Sequence, residues 1–123
     1  MSLNNNAKLV VVLTQHGGHD TATVGFTIAN AALSQGKDVA IFLTSDAVDL
    51  ARQGANDLAE VRPFRPLASL IEDFTAHGGV VWACSPCFQH RGQRVEDNVD
   101  GVTVTGAGPM LEWIDAGAST ICL

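Results

Sequence analysis

Two cysteines three positions apart are the residues of this chain whose types and spacing point most directly to chemistry. They are Cys84 and Cys87, within GVVWACSPCFQHRG at residues 79–92. The thiolate, rather than the thiol, is the reactive form of cysteine, and nearby positive charge favours it. His90 and Arg91 lie one to two helical turns beyond the pair. We therefore predict a catalytic site in which both sulfurs react and in which His90 and Arg91 adjust their charge.

Three chemistries fit a C-x-x-C pair, and two inert thiols buried in a core are the alternative to all of them. A dithiol–disulfide couple requires α-carbons about 4.4–6.8 Å apart. A sulfur carrier requires an accessible sulfur of low pKa that attacks a persulfide and is then attacked itself. A structural zinc site requires four ligands, which His16 and His19 would complete if the first and third strands were adjacent. We predict no bound metal and no cofactor, and zinc stays an alternative.

The cysteine pair lies where a predicted strand meets a predicted helix. The strand GVVWA ends just before Cys84. Pro86 suits the first position of a helix, and Ser85 would then be its N-cap. Both sulfurs would lie near the positive end of the helix dipole, where a thiolate is favoured over a thiol.

Strand-like and helix-like segments alternate along the whole chain. Continuous apolar, β-branched segments predict strands buried on both faces, and apolar residues at helical spacing predict the helices between them. The predicted strands are residues 8–14, 38–44, 79–83, 101–106 and 119–123, and the longer helices begin at Asp20 (as N-cap), Leu67 and Gly108. This alternation predicts an α/β fold: a single doubly wound domain, residues 8–123, with a five-stranded, mainly parallel sheet flanked by helices. Residues 1–7 are predicted to be a disordered lead-in.

Three loops with polar side chains leave the carboxyl ends of predicted strands, where open α/β sheets bind ligands. They are QHGGHD after the first strand, TSD after the second and CSPCFQHRG after the third. We predict a small pocket beside the cysteines, lined by residues of the first and third loops: His16, Gly17, Gly18, His19, Ser85 and Pro86. The first loop lacks both G-x-G-x-x-G and a phosphate-binding lysine, so it does not indicate nucleotide binding.

The composition argues against several classes of function. Thirteen acidic and seven basic residues give a net charge of −6, without the basic stripe of a nucleic-acid binder or a polybasic membrane anchor. The longest apolar run, LVVVL, is too short to span a bilayer. Three cysteines without a recognisable secretion signal favour a reducing cytoplasm. With 46% hydrophobic and only 16% charged residues, we also expect self-association.

Two further expectations concern the C-terminal part of the chain. Cys122 lies in an apolar strand, so we predict a buried core thiol. In the last helix, Met110, Leu111 and Ile114 are predicted to face the core. Trp113 would then lie on the flank, where an exposed tryptophan marks a subunit interface.

Three segments of this chain, taken in order, resemble the DsrE/DsrF-like family, which includes the TusD-type sulfur-relay subunits and YchN-like proteins. The segments are GFTIANAALSQGKDVAIFL, GVVWACSPCFQHRG and DGVTVTGAGPMLEWI, and together with STICL they cover essentially the whole domain. The most specific element is a cysteine after the third strand with Arg-Gly seven and eight residues later, here Cys84 and Arg91–Gly92.

The resemblance implies a five-stranded DsrE/YchN-like fold, assembly into trimers or hexamers, and sulfurtransferase-like transfer of sulfane sulfur. Persulfide-donor and thiol-acceptor proteins would be the partners, in a bacterial or archaeal cytoplasm. Cys84 matches the cysteine that carries the persulfide in relay members, and Cys87 could resolve that persulfide into a disulfide. The alternatives are a dithiol–disulfide oxidoreductase that uses Cys84 and Cys87, and a non-catalytic oligomer that binds a small ligand or a metal.

Overall fold

Strands and α-helices alternate along residues 6–123, which are the residues that the computed structural model describes. The elements are β1 (Lys8–Leu13), α1 (Asp20–Ser34), β2 (Asp38–Leu43), α2 (Leu67–Ala76), β3 (Val80–Cys84), α3 (Ser85–His90), β4 (Val102–Thr105), α4 (Gly108–Asp115) and β5 (Ser119–Cys122). Two 3-10 helices, Ser45–Ala51 and Val95–Asp97, complete the regular structure of this part of the chain. Residues 1–5 of the predicted lead-in lie outside the described residues.

The strands form one parallel sheet in the order β4–β3–β2–β1–β5. This confirms the predicted α/β fold with a five-stranded sheet flanked by helices. Strands β1 to β4 lie side by side in chain order, and the chain then returns so that β5 pairs with β1. β2 therefore separates β1 from β3, and the carboxyl ends of all five strands lie at one edge of the sheet.

One face of the sheet carries the larger core, under α1 and α2. Alternate strand residues such as Val11, Leu13 and Ile41 are fully buried there, as the two-residue period of a strand requires. Phe26 of α1 and Phe74 of α2 meet edge to face with ring centroids 5.8 Å apart. Burial contributes about 1.5–3 kcal/mol for each large apolar side chain, so this core fixes the strand ends that carry the polar loops.

The other face is covered by α4, and the helix presents a different side than the sequence predicted. Trp113 packs edge to face on Trp82 of β3, with ring centroids 5.4 Å apart, and Met110 joins the same cluster. Leu111 and Ile114 are instead 53% and 38% exposed, so their predicted burial is wrong. The helix turns the larger tryptophan ring toward the sheet because that ring buries more apolar area than leucine or isoleucine.

Cys122 is exposed, and its predicted burial in the core is also wrong. The cysteine lies in β5, which is an edge strand, and it pairs in register with Val12 of β1. Paired residues of parallel strands share a face, so Cys122 points to the side that α4 covers. That cover does not extend over the edge strand.

Candidate functional site

The two cysteines lie on either side of the junction between β3 and α3. Cys84 is the last residue of β3 and the N-cap residue of α3, and Cys87 is the third residue of that helix. Both thiols are free and half-buried. The helix begins one residue earlier than predicted, so Ser85 is its first residue rather than its cap, and Pro86 is its second. A similar shift occurs at α1, where His19 rather than Asp20 is the N-cap residue.

The turn that follows β2 supplies two hydrogen-bond partners to the sulfur of Cys87. The backbone N–H of Ser45 donates to Cys87 Sγ at 3.3 Å, and Thr44 Oγ1 lies 3.6 Å from the same sulfur. β2 and β3 are parallel neighbours, which brings the residues after both strands together at one edge. When Cys87 is a thiolate, both Thr44 and Ser45 must be the donors.

These contacts make the Cys87 thiol more acidic. Its pKa lies below the ordinary value of 9.0, chiefly because the Thr44 hydroxyl, and next the Ser45 N–H, hydrogen-bond to the sulfur. Partial burial works in the opposite direction, while the Cys84 thiol and the charge of Arg91 lower the pKa further. These contacts therefore favour the thiolate of Cys87, which is the reactive form of a cysteine.

Ser45 adopts an uncommon backbone conformation to make its contact. Its φ is +54°, in the left-handed region, and it is the one non-glycine residue with positive φ among residues 6–123. This conformation costs a non-glycine residue about 1–2 kcal/mol. Strained residues of this kind cluster at functional sites.

Arg91 lies beside the pair but is anchored away from the sulfurs. Its Nη2 forms an ion pair with Asp46 Oδ1 at 2.7 Å, and its Nη1 donates to the backbone carbonyl of Cys87 at 3.3 Å. The hydrogen bond from Arg91 lowers the pKa of the Asp46 carboxyl, so Asp46 stays charged. His90 is exposed at the end of α3, and among the described residues it donates no hydrogen bond to either sulfur.

The QHGGHD loop, which contains His16 and His19, lines a cavity beside Arg91 rather than beside the cysteines. His16 lines a cavity of about 440 Å³. The other residues around that cavity are Asp46, Asp49, Arg52, Arg91, Gly92, Gln93 and Asp97. Within the loop, His16 Nδ1 accepts a hydrogen bond from the Gly18 N–H at 3.0 Å, and the rings of His16 and His19 lie 4.6 Å apart.

Three other predicted pocket residues have local structural roles. Gly17 packs closely, since a Cβ there would lie 2.7 Å from the side-chain oxygen of Asn56. Ser85 Oγ accepts a hydrogen bond from Gln89 at 3.2 Å, and Pro86 is exposed on α3. The predicted pocket is thus divided between the cysteine junction and the His16 cavity.

The structure does not meet the condition on which the zinc alternative depended. It required adjacent first and third strands, and β2 lies between them. Within residues 6–123, no group of three or more His, Cys, Asp or Glu side chains is arranged to hold a metal ion. The same described residues contain no helix with the length and apolarity needed to cross a membrane.

Thr44, Ser45 and Asp46 are the site residues that were not singled out from the sequence. They form the TSD loop, which was recognised as leaving a strand end. Its place beside Cys87 depends on β2 and β3 being neighbours, and strand order cannot be read from the chain alone.

The fold and the site together define the class of this protein. It is a small α/β thiol protein, with a half-buried cysteine pair at the carboxyl edge of a parallel sheet. The profile of the DsrE/DsrF-like family matches residues 7–123. This chain belongs to that family, which is related to sulfur relay.

Several individual proteins are similar to this chain. The uncharacterized protein MK0008 of Methanopyrus kandleri is 31% identical over 112 residues, which are 91% of this chain and 89% of that protein. The crystal structure of the ychN protein from E. coli superposes with a TM-score of 0.77 at 21% identity, covering 96% of this chain and 99% of that one. The MTH1491 structure from Methanobacterium thermoautotrophicum gives a TM-score of 0.71 at 18% identity, covering 96% and 100% of the two chains. At these identities the two structures establish the shared fold.

Proposed function

We propose that this protein is a sulfur-relay component that stores sulfane sulfur as a persulfide on Cys84 and passes it to an acceptor thiol. The observation that carries the proposal is the free Cys84–Cys87 pair at the β3–α3 junction of a DsrE/DsrF-like chain. Cys84 occupies the position that the family resemblance assigns to the carrier, and Arg91 and His90 are the residues nearby that carry or can acquire positive charge. Persulfide-donor and thiol-acceptor proteins are the partners, in the cytoplasm.

The chemistry of transfer needs no external oxidant or reductant. A thiolate of the pair attacks the outer sulfur of a donor persulfide, R–S–SH; the new S–S bond forms as the donor S–S bond breaks, and the donor leaves as a thiolate. The acceptor thiolate later attacks the same outer sulfur, and the carrier cysteine leaves as a thiolate. The sulfane sulfur moves in both steps with its oxidation state unchanged.

Self-association into a trimer or hexamer is part of the proposal. Leu111 and Ile114 project outward from α4, one helical turn apart, and their exposure leaves an apolar strip on that helix. A second copy of the chain is the occupant we propose for this strip. Its effect on the site is indirect, since both cysteines lie on the β3–α3 junction.

Dithiol–disulfide exchange is the second candidate function. The observation that favours it is that two free thiols lie close together at one strand–helix junction, and Cys84 is among the groups that lower the pKa of Cys87. A thiolate beside a second cysteine is the reacting group of a redox couple as well as of a carrier.

Intact mass spectrometry of the reduced protein, before and after exposure to glutathione persulfide, separates these functions. For a relay protein we expect one added sulfur that peptide mapping places on Cys84 in the parent protein and that transfers to an added thiol. Cys122→Ser is the matched control, because Cys122 is an exposed cysteine outside the site. A Cys84–Cys87 disulfide without any added sulfur would instead assign the protein to the redox class.

A further inference from the structure

We infer that Thr44 and Ser45 are positioning residues that hold Cys87 as the attacking sulfur, so that sulfane sulfur enters on Cys87 and is then handed to Cys84. The term thiolate cradle is used here for the Thr44 hydroxyl and the Ser45 N–H. This inference deepens the proposed function and rests on it for the transfer steps. It assigns the two cysteines of the pair different tasks.

The geometry of the cradle carries the inference. Two donors from adjacent residues converge on one sulfur, at 3.3 Å from the Ser45 nitrogen and 3.6 Å from the Thr44 oxygen. Ser45 holds a φ of +54° where it makes this contact. Among residues 6–123, the hydrogen bonds from this turn to a sulfur all go to Cys87 and none goes to Cys84.

Neutral hydrogen-bond donors, rather than charged groups, are the main stabilisers of a thiolate on Cys87. Arg91 of α3 is paired with Asp46 of the 3-10 helix, so its positive charge is largely offset. His16 and His19 act on the Asp46 carboxylate, whose pKa they help to lower. The Cys84 thiol also lowers the pKa of Cys87. Fixed backbone and hydroxyl donors are not screened by salt as exposed charges are.

The cradle assists both transfer steps inside the site. As a thiolate, Cys87 attacks the outer sulfur of the donor persulfide, and the donor leaves as a thiolate. Cys84 then gives up its proton to water and attacks the outer sulfur of Cys87–S–SH. The Cys87–sulfur bond breaks, Cys84–S–SH forms, and Cys87 returns to the cradle as a thiolate. A stabilised thiolate is the better leaving group, so the stored sulfur rests on Cys84.

Alkylation kinetics test the cradle without requiring any sulfur transfer. The full chain, reduced, is treated with iodoacetamide across a pH series in Cys84→Ser and Cys87→Ser backgrounds, each also carrying Cys122→Ser. We expect Cys87 to react at lower pH than Cys84. Thr44→Val should slow alkylation of Cys87 at neutral pH by about tenfold, the size expected for loss of one hydrogen bond to a charged group. Thr44→Ser, which keeps a hydroxyl, should restore the rate, and Ser45→Gly, which keeps the N–H and tolerates positive φ, should leave it unchanged.

Two results would overturn the inference: Cys84 reacting at the lower pH, or Thr44→Val and Thr44→Ser behaving alike. The comparison of the two cysteine backgrounds needs no cradle variant, so it holds even if Thr44→Val fails to fold. Loading from glutathione persulfide then tests the order of entry. Cys84→Ser should load at close to the normal rate and Cys87→Ser about tenfold more slowly; equal rates contradict entry on Cys87. A cradle confirmed by alkylation in a protein that takes up no sulfur would refute the proposed function alone.

Discussion

The backbone N–H of Ser45 donates a hydrogen bond to the sulfur of Cys87 across 3.3 Å, although the two residues are 42 positions apart in the chain. One follows β2 and the other follows β3, and the parallel pairing of those strands brings them to the same edge of the sheet. The acidity of Cys87 is therefore set by a neighbouring strand end. The sequence alone attributes the reactivity of the sulfurs instead to the dipole of α3 and to the positive charge of His90 and Arg91.

The positive φ of Ser45 gives a prediction about stability. Ser45→Gly should keep or slightly raise the free energy of unfolding, because glycine adopts φ of +54° without strain. Ser45→Val should lower it by about 1–3 kcal/mol, because a β-branched residue resists that conformation. Urea denaturation of both variants beside the parent protein measures the difference. Equal stability of the valine and glycine variants would show that the turn relaxes freely.

The lowered pKa of Cys87 gives a prediction about pH. In the unfolded chain the thiol titrates near 9.0, and in the folded protein it titrates lower. Its contribution to stability is therefore complete above the unfolded value and is lost as pH falls through the folded value. We expect the stability difference between the parent protein and Cys87→Ser to grow as pH rises toward 9.0.

Urea denaturation in reducing buffer at a series of pH values measures this difference. The same series for Cys122→Ser corrects for the loss of an exposed thiol. A difference between the parent and Cys87→Ser that does not change with pH after this correction would contradict a thiolate stabilised by the fold.

The ion pair between Arg91 and Asp46 gives a prediction about reactivity. Asp46→Asn removes the carboxylate that offsets the guanidinium, so Cys87 should be alkylated about twofold faster at low ionic strength. The gain should disappear in high salt, because exposed charges are screened. Asp49→Asn is the matched control, since Asp49 lines the same cavity but pairs with Arg52. An equal change in both variants would mean that only the general charge of this edge matters.

The sequence predicted the fold well because its evidence was local. Continuous apolar stretches marked the strands, and helical spacing placed the start of α2 at Leu67, as observed. What the sequence missed depended on contacts between distant segments. Neither the role of Thr44 nor the place of β2 between β1 and β3 can be read without strand order. The side that α4 presents was predicted wrongly because spacing alone does not show that Trp113 meets Trp82.

The outward side of α4 gives a prediction about assembly. Leu111→Glu and Ile114→Glu place charge in the exposed apolar strip, so each should shift sedimentation toward smaller species with little loss of stability. Trp113→Ala should instead lower the free energy of unfolding by about 2–4 kcal/mol, because Trp113 packs on Trp82. Glu112→Gln on the same helix is the control for altered charge. Unchanged sedimentation in both glutamate variants would exclude this strip as the interface.

Gly17 gives a prediction that separates packing from ligand binding in the QHGGHD loop. A Cβ at this position would lie 2.7 Å from Asn56 Oδ1, and Asn56 is 5% exposed and donates to the backbone carbonyl of Leu50 at 3.0 Å. Gly17→Ala should therefore lower the free energy of unfolding by about 1–3 kcal/mol through overpacking. Gly106→Ala is the matched control, because a Cβ there meets nothing within 4 Å.

Sulfur loading of the same variants decides the role of the loop. If Gly17 serves packing, the folded Gly17→Ala protein should take up sulfur from glutathione persulfide at the parent rate. The substitution should then lower only the free energy of unfolding. Loss of loading at unchanged stability would instead place the backbone of the QHGGHD loop in contact with the incoming persulfide, because the added methyl group would then be acting on the ligand rather than on Asn56.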